Sequence, residues 1–434
     1  MPDSPNDQQH FIRAVTQLGE RHAVVATQAI LNAQGAKVVE KGAPITPALL
    51  ERLQQTALSA PIEHSVACAS TVTGPVLKQC AEELMRDVPL FSRMAPDENT
   101  RKVLVNILEG VPLPDGMAFQ LTVAREVRPE LFLQLVRTAL TAVWLARMPM
   151  VSRFDLGMAA AAGLMHDIGM LHVDPLLLQP EQVLNPEQRR QLYSHPMVSS
   201  TLMARHHQYS KEVVRAVGEH QEYLDGSGYP RSLVGDAISP LGKILSLAQV
   251  VAAMFAAGRN APEMRLSVLL RMTTDLYDEG LALRVMALLK PQIDVMSVET
   301  ARLDDPIHLL QEINRLLSQL PLEPGQEGAR DATRRDGMAL VGSHAGRIQR
   351  GLARAGAVPD QLAQLGDGLD EALLTELTLL THEATWQLRT LSRHARRRWA
   401  TQLGEPLPPR QGEWLDQVDA LVAQVASGGV LAST

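Results

Sequence analysis

The sequence predicts a mostly α-helical protein, and three observations support this prediction. Only 3% of the 434 residues are aromatic whereas 45% are hydrophobic, so the cores must be built from Leu, Val, Ala and Met. Runs rich in Leu and Ala, with few β-branched stretches, favour helices over strands. From residue 129 to residue 320, apolar residues also recur at helical spacing almost without interruption. We therefore expect a helical fold with a small amount of sheet.

Length, charge and cysteine content narrow the class of protein. A single core does not grow to this size, so roughly two to four domains are expected. The net charge of −7 argues against general nucleic-acid binding. The polar N-terminus is unlike a signal peptide, and no apolar run reaches the ~18 residues of a membrane span. We expect a cytoplasmic protein without a membrane span, in which Cys68 and Cys80 are buried and unpaired.

Residues 1–75 are predicted to form a small α+β module. Residues 22–42 alternate between apolar and polar side chains around Asn32-Ala33-Gln34-Gly35, a pattern typical of a hairpin. Thr46-Pro47 then begins a helix that runs through Leu53, with the threonine as its cap. The sequence leaves open whether this module is a structural appendage or a sensor.

Four further segments follow along the chain. Residues 76–116 are predicted to be a helical connector, and residues 117–320 a helical domain with turns at Asp and Pro. Residues 321–336 combine Pro, Gly and charge without periodicity, which indicates a linker. Residues 337–434 are predicted to form a C-terminal helical region.

Histidines concentrate in one part of the predicted helical domain. Six of the 13 fall between residues 166 and 220, and three of these have distinctive neighbours. His166-Asp167 ends an apolar helix, His195 lies between Ser and Pro, and His220 precedes a glycine-rich turn. Imidazole with carboxylate suits Fe, Mn, Zn or Ni. A lone His-Asp pair is common by chance and can be a solvated helix end, but this order and context favour a metal site.

Three segments together resemble the HD-GYP family. They are His166-Asp167-Ile168-Gly169, Ser194-His195-Pro196 and Asp225-Gly226-Ser227-Gly228-Tyr229-Pro230, in the family's order and spacing. The resemblance covers about residues 117–300. It implies a helical HD-superfamily bundle, and a family activity that hydrolyses cyclic di-GMP at a site with two or three metal ions.

The resemblance also implies roles for individual residues. The metal ligands would be His166, Asp167, His195, His220 and, by a longer alignment, Glu130, and Asp167 would also act in catalysis. A loop that binds a ligand or a partner would contain Asp225, Gly226, Gly228, Tyr229 and Pro230. Gly226 and Gly228 permit positive φ and Pro230 fixes the exit, so this loop can form without a metal.

Five positions depart from the family pattern. Met170 replaces a lysine, Gln134 and Gln221 replace histidines, and Gln249 and Ala252 replace aspartates. A neutral glutamine oxygen is a poor substitute for carboxylate or imidazole at a divalent ion. We therefore expect at most one weakly bound divalent metal, Fe, Mn or similar.

Three functions stay open at this point. The first is a degenerate HD-GYP signalling protein that binds cyclic di-GMP or a signalling protein partner with little or no hydrolysis. The second is an active metal-dependent cyclic di-GMP phosphodiesterase that tolerates glutamine ligands. The third is an interaction scaffold without a ligand.

Overall fold

A computed structural model describes most of the chain and is mostly helical. The described residues are 5–54, 56–59, 62, 65–68, 70–148, 150–178, 184–256, 258, 260–290, 303, 305–321, 331–365, 370–399 and 409–428. Helices dominate these ranges and the strands are short, so the prediction of a mostly α fold is confirmed. No described helix combines the length and the apolar character that crossing a bilayer requires.

The N-terminal segment has the predicted α+β character. Its elements are α1 (Pro5–Arg21), β1 (Val24–Ala26), β2 (Ile30–Leu31), β3 (Lys37–Val39), α2 (Pro47–Gln54) and β4 (Val66–Cys68). β1 pairs antiparallel with β4, and β2 with β3. The Asn32 side chain accepts hydrogen bonds from the backbone N–H groups of Gln34 and Ala36, which closes the predicted hairpin. The sequence prediction missed α1.

The first of two compact units comprises residues 1–256 and 276–284. After the N-terminal segment it contains α3 (Gly74–Asp87), α4 (Pro89–Met94), α5 (Glu98–Glu109), α6 (Asp115–Val127), α7 (Pro129–Ala146), α8 (Arg153–Met165), α9 (Pro186–Tyr193), α10 (His195–Ala204), α11 (Lys211–Glu219), α12 (Pro240–Met254) and the first residues of α14 (Glu279–Leu288). Short 3₁₀ helices cover Ile168–His172, Pro175–Leu178 and Gly235–Ala237.

α7 is the central helix of this unit. It packs against α8 and α12, and α11 packs against α8, α10 and α12. α7 is apolar on almost every side, and such a helix is stable only when neighbours surround it. Cys68 and Cys80 are buried and unpaired, as expected.

α1 packs against the segment that follows the His-Asp pair. The Phe11 ring is 1% exposed and stacks on His172 with ring centroids 4.8 Å apart. Its edge meets Phe119 of α6 at 6.5 Å. The N-terminal helix therefore shares a core with the 3₁₀ helix that begins directly after Asp167.

The second compact unit comprises residues 257–275 and 285–434. Besides the end of α14 it contains α13 (Pro262–Met272), α15 (Pro306–Ser318), α16 (Asp331–Arg354), α17 (Pro359–Leu362), α18 (Glu371–Trp399) and α19 (Pro409–Gly428). Its core is aliphatic, and the Trp414 indole N–H donates to the Leu316 carbonyl at 2.8 Å.

The predicted domain boundaries stay a prediction. α13 and α15 fall within the range 117–320 that was assigned to one domain, yet they pack with the C-terminal helices. Of the predicted linker 321–336, residues 322–330 lie outside the described residues, and α16 begins at Asp331.

Candidate functional site

The end of α8 brings the His-Asp pair into the interior. Ser152 and Asp155 form a capping box at the start of this helix, and His166 is its C-terminal cap. The apolar residues between them are buried. His166 is therefore fully buried, and the Asp167 side chain is 17% exposed. The predicted apolar helix ending in this pair is confirmed.

Gly169 allows the next segment to lie against α10. Its N–H donates to Ser199 Oγ at 2.8 Å, and a Cβ at this position would lie 2.4 Å from the His195 carbonyl oxygen. No larger residue fits such an approach without a shift of the backbone. The close contact holds Asp167 beside His195.

Four predicted ligands converge at this point. Asp167 Oδ1 lies 3.1 Å from His195 Nε2 and 3.2 Å from His220 Nε2. Asp167 Oδ2 lies 3.3 Å from His166 Nε2. The two ring nitrogens of His195 and His220 are 3.2 Å apart. Three helix ends, those of α8, α10 and α11, supply these side chains.

The three imidazoles share one orientation. In each, Nδ1 lies 2.7–2.8 Å from a backbone carbonyl three residues earlier, at Gly163, Leu192 or Val217. A carbonyl oxygen only accepts, so each Nδ1 carries the hydrogen. In the neutral ring Nε2 then presents a lone pair, and all three lone pairs face the Asp167 carboxylate.

These residues fit a divalent metal ion. Ligands at about 2.1 Å from one ion stand about 3 Å from one another, which matches the separations observed. Burial lowers the pKa of His220 to about 4 despite the nearby carboxylate, so this ring is a neutral ligand at pH 7. Among the described residues, His166 Nε2 and Asp167 Oδ1 are buried without a hydrogen-bond partner.

The carboxylate is ionised. Burial alone would raise the pKa of Asp167, but the positive charge of a protonated His166 and hydrogen bonds donated by imidazoles that carry a proton on Nε2 hold this pKa well below its ordinary value. In the described part of the chain, Asp167, His195 and His220 form a group that could hold a metal. Glu130 is exposed in the first turn of α7 and lies outside this group, so its role as a ligand stays a prediction.

The substituted glutamines bond to one another beside His220. Gln134 Nε2 donates to the Gln249 carbonyl at 3.0 Å, and Gln221 Nε2 donates to Gln249 Oε1 at 3.1 Å. Gln249 Nε2 in turn donates to the His220 carbonyl at 2.7 Å. Ala252, on the same helix as Gln249, is fully buried. Gln134 thus contacts Gln249 although 115 residues separate the two, and its place in the family alignment stays a prediction.

Met170 receives a contact that the sequence did not predict. Its backbone carbonyl accepts a hydrogen bond from Arg128 Nη1 at 2.6 Å. The Arg128 charge also interacts with Asp167, although burial lowers the pKa of this arginine. The only sequence signal for Arg128 was its place before Pro129, near the aligned Glu130.

The Asp-Gly-Ser-Gly-Tyr-Pro loop forms a compact turn. Asp225 Oδ1 accepts from the Ser227 N–H at 3.0 Å and from its hydroxyl at 2.6 Å. Gly226 has the expected positive φ of 79°. Gly228 does not, so that expectation was wrong. A Cβ at Gly228 would lie 2.5 Å from the Gln221 carbonyl oxygen, so glycine is needed there for close approach.

Two buried glutamates, which the sequence analysis did not single out, hold the chain after this loop. Glu222 accepts from the backbone N–H groups of Arg231 at 2.7 Å and Leu233 at 2.9 Å. Glu219 accepts from the Ser239 N–H at 2.8 Å and from Arg215 Nε at 2.7 Å. The loop is therefore anchored to the same turn that carries His220. Glu222 stands two residues after His220, and this position was the sequence signal that could have identified it.

Tyr229 is paired with a second aromatic ring. It stacks on Tyr193 with centroids 4.2 Å apart and an angle of 9°, and its edge approaches His195 at 6.1 Å. Tyr193 is 42% exposed, so the stacked pair borders both solvent and the histidine cluster. Tyr193 was missed, although it stands two residues before His195. Pro230 is exposed at the end of the loop.

Comparisons with known proteins agree with the motifs. Residues 122–279 match a family model described as HD domain. A 3'3'-cGAMP-specific phosphodiesterase of Vibrio cholerae is 32% identical over 120 residues, which are 28% of this chain and 26% of that protein. A cyclic di-GMP phosphodiesterase of Pseudomonas aeruginosa is 35% identical over 114 residues, 24% of this chain and 27% of that protein.

Two further comparisons are more distant. A cyclic di-GMP phosphodiesterase response regulator of Xanthomonas campestris is 29% identical over 109 residues, 25% of this chain and 29% of that protein. The structure of an HDG"Y"P protein from Bdellovibrio bacteriovorus aligns with 62% of this chain and 94% of its own, with 13% identity and a TM-score of 0.33. The matched segment spans about a quarter of each curated relative. The motifs, the family model and these relatives support an HD domain of the HD-GYP type over residues 122–279.

Proposed function

We propose that this chain is a signalling protein that binds cyclic di-GMP or a closely related cyclic dinucleotide at the Asp167 cluster, with little or no hydrolysis. The observation that carries the proposal is the chain of amides formed by Gln134, Gln221 and Gln249. These side chains occupy positions where the family resemblance expects metal ligands, and they satisfy one another instead.

Charge supports a single metal ion. Two bridged divalent ions bring about four positive charges, and burying them requires comparable negative charge close by. In the described cluster only Asp167 supplies a carboxylate. The cluster therefore holds at most one Fe- or Mn-like ion, and weakly. Such an ion would supply Lewis-acid polarisation of a phosphate oxygen.

The loss for catalysis is large. Without a second ion, and with Met170 in place of a lysine, transition-state charge on the phosphate is poorly neutralised. Several kcal/mol of lost stabilisation corresponds to a rate lower by on the order of 10³-fold. Binding depends less on these groups, because a ground-state phosphodiester carries only one negative charge per phosphate.

The rest of the site retains features suited to a nucleotide. The stacked rings of Tyr193 and Tyr229 border the cluster and offer a flat surface to a purine base. The hydrogen bonds that the backbone N–H groups of Arg231 and Leu233 donate to Glu222 keep the loop in place without any metal.

The test combines binding with turnover. Calorimetry with cyclic di-GMP and with 3'3'-cGAMP should show binding, while anaerobic incubation with Mn²⁺ or Fe²⁺ followed by nucleotide chromatography should show little or no product. Turnover at rates typical of phosphodiesterases would contradict the proposal, and so would the absence of binding to either nucleotide.

A restoring variant sharpens this test. The triple substitution Gln134→His, Gln221→His and Gln249→Asp returns the ligand types that the family pattern expects. It should raise the metal content from at most one ion to two per chain and should raise turnover. Gln79→His, an exposed glutamine on α3, is the control for an added histidine.

An active phosphodiesterase is the second candidate. The intact convergence of His166, His195 and His220 on Asp167 favours it, because this half of the site needs no repair to bind a metal. Under this alternative the wild type turns over nucleotide, and the triple variant gains little.

A further inference from the structure

The negative charge of Asp167 repels any phosphate ligand that approaches the cluster. Asp167 is ionised, and Met170, three residues later in the chain, contributes no charge. A single, weakly held metal ion would offset this charge only in part, so a phosphate that approaches the cluster also needs a cation on the protein beside it. The residue that supplies such a charge must reach the segment Ile168–His172 from another element.

Arg128 does reach this segment. It is the N-terminal cap residue of α7, just before Pro129. Its Nη1 donates to the Met170 carbonyl at 2.6 Å, which fixes one edge of the guanidinium beside the chain that leaves Asp167. Met170 stands three residues after Asp167, so this hydrogen bond places the guanidinium beside the segment that follows the carboxylate.

The other donors of this guanidinium are available. An arginine side chain has five N–H groups, and among the described residues the hydrogen bond to Met170 is the only one that Arg128 makes. The Arg128 side chain is half-buried, and in the described structure its Nε and Nη2 atoms remain accessible to solvent. A planar pair of donors of this kind matches two oxygens of a phosphate.

Three other arginines of this unit form ion pairs with carboxylates. Arg125 is paired with Glu126, and both Arg215 and Arg231 are paired with the buried Glu219. Within the described residues Arg128 takes part in no ion pair, although its charge acts on Asp167. It therefore has charge to offer to a ligand.

We propose that Arg128 binds a phosphate group of the ligand and so supplies the cation that Met170 cannot. Its role rests on the proposed function, since the ligand is the phosphodiester of a cyclic dinucleotide. The sequence places this arginine 42 residues from Met170, and only tertiary packing, which includes that of α6 against the 3₁₀ helix, brings them together.

The experiment separates the charge of Arg128 from its hydrogen bond. Arg128→Gln keeps a donor for the Met170 carbonyl and removes the charge, whereas Arg128→Lys keeps the charge. Affinities of the full-length chain for cyclic di-GMP and for orthophosphate are measured by calorimetry at several salt concentrations. Lys102→Gln removes one positive charge from a side chain that is 68% exposed on α5 and is the control.

Arg128→Gln should weaken both ligands by at least about tenfold and should flatten the salt dependence, because a charge-assisted bond is lost. Arg128→Lys should lose less affinity than Arg128→Gln, because it keeps the charge but not the paired donors. Lys102→Gln should stay within about threefold of the wild type. Adding Met170→Lys to Arg128→Gln should restore most of the lost affinity, since it returns a cation to the same place. Thermal denaturation checks that each variant is folded.

Each failure has a distinct meaning. If the wild type and a folded Arg128→Gln bind cyclic di-GMP equally, the role of Arg128 is refuted and the proposed function stands. If orthophosphate binds in an Arg128-dependent way but neither dinucleotide binds, the proposed function fails and the anion site stands. If the wild type binds none of these ligands, both are refuted. If affinity falls only in variants that unfold, while Met170→Lys gives no rescue, Arg128 is structural and the inference is refuted.

Discussion

Gln249 Nε2 donates a hydrogen bond to the backbone carbonyl of His220 at 2.7 Å. The family resemblance expects a metal ligand at position 249. The Gln249 side chain instead bonds to the backbone of His220, one of the predicted ligands. The same amide accepts from Gln221, so its donor and its acceptor are both in use. The three glutamines are therefore joined by hydrogen bonds beside His220. On the other side of His220, the three histidines converge on Asp167.

Gln249→Ala should lower the free energy of unfolding by about 1–3 kcal/mol, because the buried His220 carbonyl and the half-buried Gln221 amide lose their partners. Chemical denaturation measures this change. Gln79→Ala removes an exposed glutamine that bonds only to Glu83 and should change stability by less than about 0.5 kcal/mol. Equal effects of the two substitutions would contradict the role given to the amide chain.

His195→Ala should weaken Mn²⁺ binding by at least about tenfold, since even the partners of metal ligands typically matter by this factor. Titration calorimetry and elemental analysis check the affinity and the expected limit of one ion per chain. His207→Ala changes an exposed histidine and should leave the affinity unaltered. Two or more tightly held ions in the wild type would overturn the single-ion proposal.

Tyr193→Ala should weaken cyclic dinucleotide binding by about tenfold, since an aromatic stacking contact contributes about 0.5–1.5 kcal/mol. Tyr193→Phe keeps the ring and should bind like the wild type. The melting temperature should hardly change, because Tyr193 is 42% exposed. Tyr229→Ala should weaken binding as well. A binding loss that appears equally in Tyr193→Phe would point to the hydroxyl rather than to stacking.

Phe11→Ala should cost about 3–5 kcal/mol of stability, the usual cost of a buried phenylalanine. It should also weaken Mn²⁺ binding, because Phe11 stacks on His172 in the 3₁₀ helix that follows Asp167. Phe154→Ala, at a ring that is 70% exposed, is the matched control. Unchanged metal affinity in a folded Phe11→Ala variant would mean that α1 supports the fold without affecting the cluster.

Glu219 should make stability depend on pH in a defined window. Burial alone would raise the pKa of this carboxyl, but hydrogen bonds from Ser239 and Arg215 and the charge of Arg215 hold it below its ordinary value of 4.5. Its contribution is therefore fully present above pH 4.5 and is lost as the pH falls through the lower folded pKa. Urea denaturation should show a wild-type advantage over Glu219→Gln that is constant near pH 7 and shrinks below pH 4.5. An advantage that grows on acidification would contradict this sign.

The sequence by itself determined the helical class and the retained ligands. Apolar periodicity is a local property, so the long helical pattern and the hairpin at Asn32 followed from neighbours along the chain. His166, Asp167, His195 and His220 were also within reach, because each lies at a helix end inside a short motif. The substitutions at Met170, Gln221 and Gln249 were visible for the same reason.

Tertiary structure alone decided what those substitutions do. Whether Gln134 meets Gln249 depends on how α7 packs against α12. Whether Arg128 meets Met170 depends on how the end of α6 packs against the 3₁₀ helix, and no local pattern encodes either distance. The same holds for the stacking of Tyr193 on Tyr229 and for Gly228, where close backbone contact rather than positive φ requires glycine. The sequence shows which residues lie at the end of a given helix. Contacts between the side chains of different helices form only when those helices pack together.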